Sequence, residues 1–463
     1  MSTRKQIILG AHFPGVNNTT VWQDPDSGSQ IEFKSFKHMA ESAERGKFDF
    51  LFLAEGLRLR EQRGKIHDLD VVGRPDTFAV LAALSSVTSN LGLIGTINAT
   101  FNEPYEVARQ FATLDHLSAG RAAWNVVTSS DAFTGANFRR GGYLDRELRY
   151  ERARELVQTA RELWDSWAPN AIAADKQTGR FLNEENAGAF AHTGDQFEIR
   201  GRFNVPRPPQ GHPVILQAGD SAQGREFAAQ TADAIFTRHG TLDEGIAFSR
   251  DVKARAVRNG RSADDLKVLP GVGFILGDTD ADAEEINREV RLQQVSPQTA
   301  ILLLEQVWNR DLSSYDADGP LPKVDPDVES ISIIQGRARI VDGVLETAQR
   351  YRALAEAKNL SIRELIVEVT SRGLFVGSAR TIADKLDEFV LAGASDGFIL
   401  VPHIVPHGMD RFVDEVVPLL QERGALRAEY DSGSTLRENL GLTPATPATV
   451  WAERAGDLEA AAS

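Results

Sequence analysis

The stretch ILQAGDSAQGREFAAQTAD, residues 215–233, combines features that handle anions. A short apolar run, Val214–Ala218, meets a turn with Gly219 and Ser221, and a helical pattern opens near Arg225. Amides at a helix start lack an intrahelical acceptor and the dipole is positive there, so Ser221 and Arg225 could complete a phosphate cradle. The same residues also spell an ordinary capped helix, with Ser221 as N-cap and no ligand. A second stretch, LSAGRAAWNVVTSS from Leu117 to Ser130, ends a helix at Gly120 and then carries Trp124, Asn125 and Thr128. Small polar groups at a strand end suit the edge of a planar heteroaromatic ring. Equally, Trp124 is interlayer packing and Asn125 a turn cap. His403 and His407 stand four apart in PHIVPHG, as a helical metal pair would, but the prolines argue against a helix and no metal site is expected. The absence of cysteine excludes disulfides, thiolate ligands and a Cys nucleophile.

These groups need a frame. Apolar runs rich in β-branched residues mark eight strands: Ile7–Phe13, Phe50–Ala54, Leu91–Ile97, Ala122–Val127, Val214–Ala218, Ala234–Thr237, Val268–Leu276 and Gly397–Val401. Amphipathic stretches follow most of them, so the expected fold is an α/β (β/α)8 barrel, with reactive groups just past the strand ends. That rule selects His12, Glu55, Asn98, Thr100, Asn125, Ser221, His239, His403 and His407. A barrel takes roughly 250 residues, so the surplus should be insertions. They are expected at about 170–209 and 281–370 within a barrel spanning 1–430, followed by a C-terminal extension over 431–463.

With 42% hydrophobic and 25% charged residues the chain reads as globular. Its formal net charge of −15 and scattered Lys and Arg make nucleic acid an improbable partner. No apolar run approaches the ~18–20 residues that span a bilayer, and the N-terminus lacks a signal-peptide pattern, so a cytoplasmic protein is expected.

The segments FDFLFLAEG, FNEPYEVARQFATLDHLSAGRAAWNVVTSS, LRYERA and VILQAGDSAQGREFAA occur in order. With GASDGFIL and FVDEVVPLLQERG near the end, they resemble the nitrilotriacetate monooxygenase family, a branch of the luciferase-like flavin monooxygenases that also includes dibenzothiophene-sulfone, dimethyl-sulfide and long-chain-alkane monooxygenases. The resemblance implies a bacterial-luciferase-type barrel and an oxygenase component using FMN as FMNH2, supplied by a separate NAD(P)H-dependent flavin reductase. A flavin peroxide would transfer one oxygen atom to a small organic substrate. Flavin contacts are implied for Glu55 (usually Asp in the family), Thr100, Asn125 and Tyr150. Arg146 stands where many members carry His, and Ser221 with the Gln223 and Gly224 backbone matches the phosphate loop. Thr100 and Asn125 would flank the ring and incoming oxygen, and His12 would face substrate. A homodimer or homotetramer is implied. The alternatives are a deazaflavin-dependent oxidoreductase on the same fold and a flavin-binding protein without turnover. For substrate, Arg58, Arg60 and Arg63 would suit a chelator, whereas Phe13, Phe101 and Phe133 would suit a flat heteroaromatic molecule such as riboflavin, the reading preferred here.

Overall fold

A computed structural model describes residues 4–15, 20–57, 59, 61–62, 65–66, 74–128, 137–138, 146–329, 332–334, 337–339, 343–370 and 374–445. The barrel strands are β1 Ile8–Phe13, β2 Phe50–Leu53, β3 Gly92–Asn98, β4 Ala122–Val127, β5 Val214–Gln217, β6 Ala234–Thr237, β7 Lys267–Leu276 and β8 Gly397–Val401. Their outer helices are α1 Phe33–Arg45, α2 Thr77–Ser85, α3 Pro104–Leu117, α4 Arg146–Asp165, α5 Ala222–Thr231, α6 Leu242–Arg258, α7 Ala379–Leu391 and α8 Asp410–Glu422. All eight strands pair in parallel with their neighbours, and β8 returns to β1, placing Ile8 opposite Gly397. A ninth strand that sequence analysis does not find, Leu374–Gly377, pairs with the upper part of β7.

Side-chain alternation sorts each strand into two faces. Ile8, Phe50, Phe52, Ile94, Ala123, Leu216, Leu269 and Ile399 fill the barrel interior as one buried cluster. Their sequence neighbours face the helices, for example Leu9, Leu51 and Leu93 and Trp124, Ile215 and Ile235. Glycine makes room for the interior rings. A Cβ on Gly10 would lie 2.1 Å from Phe50, and one on Gly271 2.4 Å from Phe236.

Residues 170–209 contain two antiparallel hairpins, Ile172–Asp175 with Arg180–Leu182 and Ala189–Thr193 with Glu198–Arg202. Helices Pro297–Trp308, Val344–Lys358 and Ile362–Thr370 contribute to a satellite core that includes Leu304, Trp308, Ile362 and Ile366. Among the described residues no helix is long and apolar enough to cross a membrane.

The lower, N-terminal end of the barrel is closed by the chain's later segment. Leu436, Leu440 and Leu442 join the interior cluster. Between them Arg437 meets the buried Asp233 carboxylate with both guanidinium arms, at 2.9 and 3.3 Å. Asp233 in turn accepts the Ile215 amide at 2.8 Å, fixing the start of β5 beside β6. Burial pushes this carboxyl up, but Arg437 and Arg161 outweigh it and hold the group below its usual range. Arg437→Ala would leave Asp233 charged and buried without its bidentate partner. The expected loss is about 3–5 kcal/mol in the urea-unfolding free energy at neutral pH. A loss below about 1 kcal/mol would remove this pair from the contacts that close the barrel.

Candidate active site

The C-terminal end of the barrel is polar where the lower interior is apolar. On the inward-facing positions, His12 tops β1, Thr96 and Asn98 top β3, and Asn125 lies near the top of β4, all buried. The His12 ring packs 5.2 Å from that of Phe52 inside the barrel. Asn125 Nδ2 donates to Thr96 Oγ1 at 2.9 Å. Its Oδ1 is buried and has no hydrogen-bond partner among the described residues. A buried amide oxygen without a donor carries a penalty of about 1–3 kcal/mol, which a ligand N–H would relieve.

Glu55 follows β2 and leans over the end of β3. Its Oε2 accepts both the backbone amide and the side-chain amide of Asn98, at 3.1 and 2.9 Å. Burial raises its pKa to about 7 against the lowering effect of those two bonds. Near neutrality this carboxyl therefore exists in both forms and can accept or donate. Asn98 was legible as a strand end, yet its partnership with Glu55 was not. Its inward parity with Thr96 is the signal that could have found it.

Two arginines outside the expected set hold the upper loops. Arg74 donates to the carbonyls of Glu55 and Pro14, at 3.0 and 3.1 Å, tying the ends of β1 and β2 together. Arg152 on α4 donates to Ala99 and Asn102 carbonyls at 3.1 and 3.0 Å, and so clamps the turn that carries the buried Thr100. Of Arg146 only the backbone is described, as the first residue of α4. Tyr150, one turn later, is half-buried with its ring 5.9 Å from Phe227 of α5.

Helix α5 starts at Ala222, earlier than the sequence pattern indicates. Ser221 is its N-cap, with Oγ accepting the Gly224 amide at 3.1 Å. This takes up the Gly224 N–H, while the first-turn amides of Ala222 and Gln223 have no acceptor within the helix. Gly219 and Gly224 touch backbone to backbone. A Cβ on Gly224 would lie 2.9 Å from Gly219. The strand and helix meet closely because neither glycine carries a side chain, and Gly219 N–H donates to Gln217 Oε1 at 2.9 Å, which leaves the Ala222 and Gln223 amides at the helix start. The Arg225 side chain is engaged elsewhere: its guanidinium reaches the Asp220 carbonyl at 2.9 Å and Asp251 at 3.1 Å.

Other expected residues point elsewhere. Phe13 stacks on Phe36 of α1 at 4.1 Å, outside the barrel, so it cannot line a pocket. Trp124 faces outward as packing, its Nε1 donating to the Ile97 carbonyl at 2.9 Å. His239 turns toward α6, with Nδ1 2.8 Å from Thr237 Oγ1 and its ring near Phe248. Phe101 stacks on Phe138 at 4.6 Å. His403 is half-buried past β8, and burial lowers its pKa against the raising effect of Asp24 and the Phe274 backbone. Arg58, Arg60, Arg63 and Phe133 lie outside the described residues.

The luciferase-like monooxygenase family profile matches residues 16–396. The chain is 42% identical to N-acetyl-S-(2-succino)cysteine monooxygenase of Bacillus subtilis (strain 168), over 95% of this chain and 98% of that protein. It is 39% identical to nitrilotriacetate monooxygenase component A of Aminobacter aminovorans, over 94% of each. Among solved structures it is similar to a riboflavin lyase with modified FMN and substrate riboflavin, with a TM-score of 0.79 and 29% identity, covering 98% of this chain and 99% of that one. The resemblance read from the ordered segments is thus borne out, and so is the closed barrel.

Glu55 supplies a test that needs no ligand. The folded carboxyl keeps its proton up to about pH 7, whereas the ordinary value is 4.5. Between these values the folded state binds the extra proton, so this group lowers stability as pH rises. Glu55→Gln should therefore stabilise the protein at pH 8 by on the order of 1–3 kcal/mol. The gain should vanish toward the ordinary carboxyl value, as followed by melting temperature across pH. A gain independent of pH would mean that the carboxyl is not desolvated.

Proposed function

The chain belongs to the luciferase-like monooxygenase family, and on that premise we propose that it is the oxygenase component of a two-component system. It would take reduced FMN from a separate NAD(P)H-dependent reductase and oxygenate a small organic molecule. One observation supports the cofactor above all others. Asn125 holds an unsatisfied amide oxygen on the inner wall, in the same barrel end as the helix-start amides at Ser221. A planar ring with an N–H edge and a phosphate tail needs both features.

In this reading the Ser221 hydroxyl and the first-turn amides of α5 bind the phosphate, with Tyr150 beside them, and Gly224 shapes the turn. Asn125 Oδ1 accepts a ring N–H. Glu55, poised near neutrality by burial, adapts to either a donor or an acceptor on the ring. When bound, the reduced flavin supplies the electrons that let O2 deliver one oxygen to substrate and one to water. The protein's share is to orient substrate, exclude water and hold the polar edge of the ring. Thr100 is fixed for contact with ring and substrate by the Arg152 clamp. Phe101, the next residue in the chain, stacks on Phe138.

The two sequence relatives carry the names of carboxylate-bearing sulfur and nitrogen compounds. Such a compound is the first substrate class to test, ahead of the heteroaromatic class. Arg238 is exposed immediately beyond β6, two residues past Phe236, which packs against the interior cluster. It is available to a substrate carboxylate.

Ser221→Ala should weaken reduced FMN by ~1.5–3 kcal/mol, roughly ten- to a hundredfold, in an anaerobic titration, and leave binding of phosphate-free reduced riboflavin unchanged. Equal loss for both flavins, or for neither, would remove Ser221 from the phosphate turn. Asn125→Ala should retain reduced FMN within about tenfold but uncouple O2 uptake from product with nitrilotriacetate, N-acetyl-S-(2-succino)cysteine or whichever compound is turned over. Full coupling in that variant would show that Asn125 has no part in oxygen transfer.

A further inference from the structure

On the flank of the barrel three side chains from two distant parts of the chain converge outside the site described above. His38 stands on α1, His407 opens the short 3-10 turn His407–Met409, and Asp410 begins α8. Asp410 Oδ2 lies 2.7 Å from His38 Nε2 and 3.2 Å from His407 Nδ1. The three ligating atoms lie within 4.8 Å of one another. The two rings meet edge to face with centroids 4.2 Å apart. Ser42 Oγ donates to the other oxygen, Asp410 Oδ1, at 2.5 Å, which orients Oδ2 toward both imidazoles.

Both imidazoles stand at hydrogen-bond distance from one carboxylate oxygen. Two imidazole nitrogens and a carboxylate oxygen converging on one point are also the donor set that a divalent cation takes. The surrounding positive charge is already engaged: Arg45, 3.9 Å from Asp410, pairs with Asp414, and Arg411 pairs with Glu415 and Asp278. His407 is exposed while His38 and Asp410 are half-buried, so water can complete a coordination sphere.

We propose that His38, His407 and Asp410 bind a first-row divalent cation of the zinc class. Imidazole nitrogen and carboxylate oxygen are ligands zinc takes at about 2.0–2.2 Å. Ligand atoms placed tetrahedrally around one ion stand about 3.3–3.6 Å apart, so the 3.2 Å spacing from His407 is near that value and the 2.7 Å His38 contact must open as the ion enters. Ser42 is the outer-shell group that fixes the carboxylate. The bound ion staples the loop between β8 and α8 to α1. That loop supports the segment after β1: the Val21 amide donates to the His403 carbonyl at 2.8 Å and the Gly28 amide to the Val405 carbonyl at 2.6 Å. The ion therefore stiffens one wall of the barrel mouth without touching the flavin residues.

The test is calorimetric titration of Zn2+ into the flavin-free, EDTA-treated full chain, with melting temperature followed in parallel. One saturable site per chain is expected, with a melting temperature that rises as Zn2+ is added. His407→Gln and His38→Gln should each weaken the site at least about tenfold, the smallest loss that outer-shell changes alone produce, and X-ray absorption at the zinc edge should show nitrogen and oxygen ligands only. His407 is exposed, so its replacement leaves the fold intact, which circular dichroism checks. No saturable binding, or binding that neither substitution changes, overturns the proposal.

Discussion

Everything at the mouth depends on the register of the closed parallel sheet. Side chains alternate between the interior and the helix layer, so a shift of one residue in β3 would turn Asn98 out among the helices, and one in β4 would turn Asn125 out and Trp124 inward. The register is anchored from below by buried carboxylates that stand immediately before strands. Asp49 accepts the Leu9 amide, Asp233 that of Ile215 and Asp396 that of Val268. Each aspartate thus binds the strand beside its own. Arg427, Arg437 and Lys253 supply the counter-charges. The interior between is filled by rings that glycines at 10 and 271 admit.

The two ends of the barrel use the same chemistry to opposite ends. Below, cations hold Asp233 and Asp396 under the usual carboxylate range, while burial still lifts Asp49 to about 6 against Arg427, and the hydrogen bonds of all three close strand to strand. Above, the Glu55 carboxylate accepts amide donors and pairs with no cation among the described residues, and burial raises its pKa to about 7. Asn125 keeps an oxygen without a partner among the described residues. An amide oxygen orphaned on the inner wall of the mouth is one that a ligand N–H would satisfy.

The eight strands and the alternation of strand with helix were legible in the sequence, with strand boundaries shifted by no more than one residue at either end. Ordered motifs single out Ser221, Asn125 and Thr100, and the structure has Ser221 at a helix start and the other two in the upper barrel. What pattern cannot carry is direction beyond a strand's end. Phe13 leaves β1 toward α1, and Arg225 folds back on Asp220 and Asp251 instead of reaching the turn. Nor can it carry pairings across long separations. Asn98 with Glu55, Arg152 with the Ala99 turn, and His38 with Asp410 join residues far apart in the chain, and only the closed barrel brings them together.

The central claim is that the mouth binds reduced FMN and directs it toward O2. The most direct measurement is anaerobic titration with reduced FMN, followed by rapid mixing with O2 while absorbance is recorded. The account predicts saturable binding of reduced FMN. It also predicts that the bound flavin reoxidises through a resolved slow phase, later than free reduced FMN does. Failure to bind reduced FMN, with reduced deazaflavin bound in its place and inert to O2, would contradict the account and make the protein a hydride-transferring enzyme.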